Sequence, residues 1–125
     1  MAGRPVFLKP SIWSTRYGAN FFTVNVESYD VKDNSFAAYA LELKRGNTTW
    51  VVHRRYSEFA TLWGQLYGLG DRLPTMPPKT YCFRDLSPDY LKTRQRLLEE
   101  CIWQLLQIPG VSEIPAVVAF LELKA

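Results

Sequence analysis

The sequence predicts an α+β domain: a three-stranded antiparallel sheet packed against a helical subdomain, with a proline-rich extended connector between helices. Three observations carry this expectation. Apolar residues alternate with period two in three stretches before residue 55, as half-buried strands require. After Ser57 the period lengthens to that of an amphipathic helix. Three prolines then crowd into Leu73–Lys79 before a second helical stretch. Strands that precede helices, rather than alternating with them, argue against a doubly wound parallel sheet.

Residues 1–20 read as an irregular N-terminal arm, since Pro5, Pro10 and Gly18 interrupt any period, with room for a short strand at Pro5–Leu8. Residues 21–125 form the domain proper. Phe22, Val24 and Val26 face one way and Thr23, Asn25 and Glu27 the other; Asp30–Ser35 supplies turn chemistry. Tyr39, Leu41 and Leu43 mark a second strand, and Arg45-Gly46-Asn47-Thr48 a tight turn. Thr49–Arg54 is the third. Phe59, Leu62, Trp63 and Leu66 then form one helical stripe, ended by Gly68 and Gly70. Leu73–Lys79 must be extended, and Tyr81–Leu86 is a loop rich in aromatics. Ser87-Pro88-Asp89 is a strong helix start. That helix is expected to run to Ile108, with a last one over Glu113–Leu121.

Composition removes several functions. Fifteen basic against twelve acidic residues give a net charge of +3, too weak a bias to point to nucleic acid. No apolar run approaches the roughly 20 residues of a membrane span, and the first residues open no signal peptide. Cys82 and Cys101 make neither a metal spacing nor a disulfide framework. His53 lacks a neighbouring Cys or Ser nucleophile, there is no glycine-rich phosphate loop, and Glu99 and Glu100 read as ordinary helix charges. An enzyme is therefore not expected, nor a metal or a cofactor. The chain reads as a soluble, intracellular, monomeric domain, and its stop just past the last helix as that of an excised module.

Three features sit oddly in a plain scaffold. Arg94 shares the inward stripe of Leu91, Leu98, Cys101 and Leu105, where desolvating a cation costs several kcal/mol. An internal carboxylate, a guanidinium that snorkels out, or an anionic ligand would each answer it. Arg54 and Arg55 point to opposite faces of a strand end. Arg55 immediately precedes a helix N-terminus, whose free N–H groups favour anions, and Tyr56 beside it offers an aromatic face. The alternative is a solvated basic strand end with Tyr56 in the core. The proline segment holds Lys79 at a defined place with little entropy to lose. Pro74-x-x-Pro77-x-Lys79 also fits a ligand for SH3-type grooves, and so a protein partner through Pro74–Lys79.

Taken together, these segments resemble the phox-homology (PX) domain, a phosphoinositide-binding module, from about Phe21 to Leu123. The resemblance rests on Arg54-Arg55-Tyr56-Ser57-Glu58-Phe59, on Leu73-Pro74-Thr75-Met76-Pro77-Pro78-Lys79 and on Lys92-Thr93-Arg94-Gln95-Arg96-Leu97. It implies that Arg55 grips the 3-phosphate of an inositol headgroup, that Tyr56 stacks under the ring, that Lys79 meets the 1-phosphate and that Arg94 bonds the 4- and 5-hydroxyls. Lys92 and Arg96 lie close by, but only Arg94 shares the stripe of Leu91 and Leu98. It implies also that Tyr81, Phe83 and Leu86 enter a bilayer interface, with Arg84 and Arg54 as peripheral cations. The expected ligand is phosphatidylinositol 3-phosphate, and the expected setting the cytoplasm, with peripheral recruitment to endosomal membranes. The rival is a protein–protein interaction module of the same fold with weak or no lipid binding.

Overall fold

The computed structural model describes residues 4–78 and 86–123. The sheet has four strands, not three: β1 (Val6–Phe7), β2 (Phe21–Lys32), β3 (Phe36–Arg45) and β4 (Thr48–Arg55), in that spatial order. Three helices follow: α1 (Tyr56–Gln65), α2 (Pro88–Leu106) and α3 (Pro115–Leu121). The additional strand is parallel to β2, pairing Val6 with Phe21 and Phe7 with Phe22. It falls inside Pro5–Leu8, the stretch of the arm with room for a short strand. Two residues are too few to show alternation, and the pairing is made visible only by Val6 N–H donating to Asn20 O (2.7 Å) and Leu8 N–H to Phe22 O (3.0 Å). Phe7 is buried there, its ring 5.8 Å from that of Phe22.

The antiparallel strands follow the expected alternation in part: Thr23, expected on the outer face with Asn25 and Glu27, is buried. Phe22, Val24, Leu41, Leu43 and Val52 are buried on the inner face. The turn after β2 places Asp33 and Asn34 at φ 52° and 51°, in the left-handed region that Asp and Asn tolerate better than other side chains. In α1, Phe59, Leu62 and Trp63 are buried as the stripe predicts. Tyr67–Arg72 adds a 3₁₀ segment in which Gly70 adopts φ 56°, and Val111–Glu113 forms a 3₁₀ turn before α3 begins at Pro115.

Helix α2 closes an open sheet edge. Beyond Phe22 there is no β1 to pair with β2, and unpaired strand edges invite association. Three α2 side chains, four residues apart in turn, satisfy that edge instead. Gln95 Nε2 donates to Val26 O (2.9 Å), Val26 N–H donates to Glu99 Oε2 (2.9 Å) and Trp103 Nε1 donates to Val24 O (2.7 Å). The register of β2 on β3 shifts between Val26 and Ser28, directly beside this clamp. Glu99 is therefore no ordinary helix charge. Burial raises its pKa, and the Val26 N–H only partly offsets that.

A proton is thus held more tightly on Glu99 in the folded state, so stability falls as pH rises from the ordinary carboxylate range through the raised value. Glu99→Gln keeps an acceptor for Val26 without the buried charge. It should match or exceed the wild type in urea denaturation at pH 7, with the gap closing near pH 4. Glu99→Ala should lose about 1–2 kcal/mol, because the Val26 N–H is left unpaired. A second core group makes an independent test. Tyr39 is 1% exposed, and its hydroxyl has no hydrogen-bond partner among the described residues. Burial pushes its pKa up to about 12, with the charge of Arg94 pulling the other way. Tyr39→Phe should be neutral or stabilising at pH 7 by thermal melting, and should flatten the fall in stability above pH 10 that a raised phenol pKa imposes.

Candidate anion-binding site

The site grows from the junction of β4 and α1. Alternation along β4 sends its last two arginines apart, as expected. Arg54 turns to the helical side: its Nε donates to Phe120 O (3.0 Å), its Nη1 to His53 O (3.1 Å), and its Nη2 pairs with Glu122 Oε2 (3.3 Å). With Trp50 Nε1 on Leu121 O (3.0 Å), it covers the C-terminal carbonyls of α3, where a cation is favoured by the helix dipole. Its side chain is 19% exposed. Arg54, expected as a peripheral membrane cation, is instead a helix cap.

Arg55 occupies the N-cap position of α1 with extended backbone. Its N–H donates to Glu58 Oε1 (2.9 Å), so Glu58 serves the main chain. The guanidinium lies over the Phe36 ring, 4.0 Å from its centroid. The acid nearest in register on this face is Asp30, which faces Ala38, itself facing Arg55. Asp30 is engaged by Lys32 Nζ at 2.7 Å, and that bond holds its carboxyl below the usual range.

Tyr56 and the proline segment bring in Arg94. Three of the five residues Pro74–Pro78 lack an N–H, so the segment cannot brace itself. Its carbonyls accept from four side chains: Trp63 Nε1 on Pro74 O (2.7 Å), Cys101 Sγ on Thr75 O (3.0 Å), Tyr56 Oη on Pro77 O (2.6 Å) and Arg94 Nη2 on Pro78 O (2.8 Å). Pro77 is buried and Pro74 half-buried. Thr75 and Pro78 are exposed, so the segment turns Pro77 inward and leaves its other side in solvent.

The Arg94 guanidinium rests 4.1 Å from the centroid of Tyr56 and 4.9 Å from that of Tyr90. Arg94, remote in sequence, thus reaches Tyr56, the residue that follows Arg55, while Arg55 itself lies over Phe36. Neither has a carboxylate within ion-pair distance among the described residues, whereas Arg4, Lys32, Lys44, Arg54 and Arg96 all do. Of the readings open for Arg94, an internal salt bridge is not seen among the described residues; aromatic faces and one carbonyl hold it. Arg96 is exposed and paired with Glu100 at 3.3 Å, which distinguishes Arg94 from Arg96. One face of Tyr56 is covered by Arg94.

Lys79, Tyr81, Phe83 and Arg84 lie outside the described residues. Leu86, expected in the membrane-entering loop, is half-buried and packs on the core, which makes it the root of that loop. Sequence reasoning missed Phe36, Tyr39 and Tyr90 as partners of the site. Tyr90 was findable, four residues before Arg94 on one helix face. Phe36 depended on cross-strand register. A separate open cleft of about 340 Å³ between α1 and α3 includes Arg54, Glu58, Ala116 and Phe120. Its cation already caps α3 and its carboxylate already binds Arg55 N–H, so it offers an anion little. Among the described residues no cluster of His, Cys, Asp and Glu could hold a metal, and no helix is long and apolar enough to cross a membrane.

Comparison with known proteins bears on the family and the fold. The PX domain family model matches residues 42–124. The serine/threonine-protein kinase Sgk3 of Rattus norvegicus and that of Mus musculus are each 32% identical over 93 residues, 74% of this chain and 19% of the kinase. The chain thus spans about a fifth of the length of these curated relatives. Among solved structures, a designed CISK-PX domain superposes with a TM-score of 0.71 at 28% identity, covering 79% of this chain and 97% of that one. The mouse SNX19 PX domain, solved with a bound sulphate ion, shares the fold at a TM-score of 0.58 and 20% identity, covering 81% of this chain and 95% of its own. With the family model spanning about two thirds of its length, the chain belongs to the PX domains, generally phosphoinositide-binding modules.

Proposed function

We propose that this PX domain reads phosphatidylinositol 3-phosphate and recruits its chain peripherally to endosomal-type membranes. One observation carries the reading: Arg94 rests on Tyr56, the residue that follows Arg55, and no carboxylate among the described residues neutralises either guanidinium. An anionic cyclitol satisfies both at once. Arg55 takes the 3-phosphate beside the N-terminus of α1, where helix N–H groups add their own attraction. Tyr56 supports the ring, and Arg94 bonds the hydroxyls on its far side. Lys79, which follows Pro78 in sequence, takes the 1-phosphate. Tyr81 and Phe83 enter the interface, Leu86 anchors their loop to the core, and Arg84 adds attraction to anionic lipid. No catalytic step is part of this reading.

Vesicle sedimentation with phosphatidylcholine carrying phosphatidylinositol 3-phosphate tests it. Arg55→Ala and Arg94→Ala should each lose at least about tenfold in binding, because each removes charge-assisted hydrogen bonds. Arg96→Ala, with its cation already paired, should change binding less than about twofold. Melting temperatures should stay close to wild type for Arg55→Ala. Equal retention of wild type and Arg55→Ala would refute the lipid reading. In the same assay Phe83→Ala should weaken retention several-fold while leaving affinity for the soluble headgroup unchanged. Unchanged retention would remove the loop from the account.

A further inference from the structure

We propose that Phe36 is a positioning residue of the headgroup site, a platform that lays the Arg55 guanidinium flat before any lipid arrives. The inference rests on the reading of Arg55 as the phosphate-binding cation. Strand β4 ends at Arg55 just where β3 begins at Phe36. Ala38 faces Arg55 directly, and Phe36 lies two residues earlier on the same face. Side chains in strands lean along the strand direction, which carries Arg55 past the small Ala38 and over the ring. The 4.0 Å from guanidinium carbon to ring centroid is a stacking distance.

Phe36 has little else to do. It is half-buried yet takes no part in the main core cluster. Stacking engages the face of the guanidinium and leaves its in-plane N–H edge open, and phosphate oxygens bind that edge in bidentate fashion. Platform and anion therefore do not compete. Arg55 is otherwise an exposed side chain with many rotamers, and no acceptor among the described residues bonds its guanidinium. Holding it on the ring removes that freedom before binding, so less is lost when the phosphate arrives. The one acid aligned across the sheet, Asp30, is kept away from Arg55 by its bond to Lys32.

The test is a double-mutant cycle on vesicles of phosphatidylcholine with phosphatidylinositol 3-phosphate, against vesicles with phosphatidylinositol. Phe36→Leu should weaken the preference for the phosphorylated lipid about three- to tenfold at an unchanged melting temperature. Phe36→Tyr should restore it, because an aromatic face returns. In an Arg55→Lys background, where the flat stacked group is gone, Phe36→Leu should cost less than about twofold. If Phe36→Leu lowers the melting temperature, Phe36→Met supplies the comparison with a side chain of similar bulk and no ring. Wild-type binding from Phe36→Leu or Phe36→Met overturns the inference, as does an equal loss whether or not Arg55→Lys is present. A wild type that shows no preference between the two vesicles refutes the lipid reading itself, and the platform with it.

Discussion

The site depends on a stretch of backbone that cannot hydrogen-bond to itself. With three prolines in five residues, Pro74–Pro78 has few donors to give, and its carbonyls must be met from outside. Trp63 and Tyr56 reach it from α1, Cys101 and Arg94 from α2. The segment is thus a rail to which two helices are fastened. The same bonds set the separation of Tyr56 from Arg94. Because Tyr56 adjoins Arg55 in sequence, they also bring Arg94 against the residue next to Arg55.

Charge is sorted as carefully as shape. Arg4, Lys32, Lys44, Arg54 and Arg96 each have a carboxylate, and surface pairs of that kind add little to stability. Arg54 is the informative case: it stands next to Arg55, yet caps α3 from the opposite face of the strand. Arg55 and Arg94 rest on aromatic rings instead, which attract a cation without neutralising it. Their hydrogen-bonding capacity stays available for an anion. Nearby acids are held elsewhere, Asp30 by Lys32 and Glu58 by the Arg55 main chain.

Much of this was legible in residue order. Period-two alternation marked β2, β3 and β4, and the stripe of Phe59, Leu62 and Trp63 marked α1. The inward position of Arg94 and the opposed directions of Arg54 and Arg55 also followed from periodicity. Other features were not legible. A short strand at Pro5–Leu8 was allowed, but that it joins the sheet as a fourth strand, parallel to β2, was not. Glu99 looked like a surface charge because its partner, the Val26 N–H, belongs to a strand edge that no side-chain pattern reveals. Leu86 read as a membrane-facing loop residue until its packing on the core placed it at the loop's root.

The division has a physical cause. Local periodicity and backbone chemistry are properties of neighbours along the chain, and by themselves they determined an α+β domain, the helix start at Arg55-Tyr56 and an extended proline rod. Which groups a side chain meets across the fold is decided by register, helix docking and burial. Only the tertiary structure therefore assigned Arg54 to a helix end, turned Pro77 of the proline rod inward and set Phe36 beneath Arg55. Each of those outcomes depends on strands and helices that are far apart in sequence being held a few ångströms apart in space.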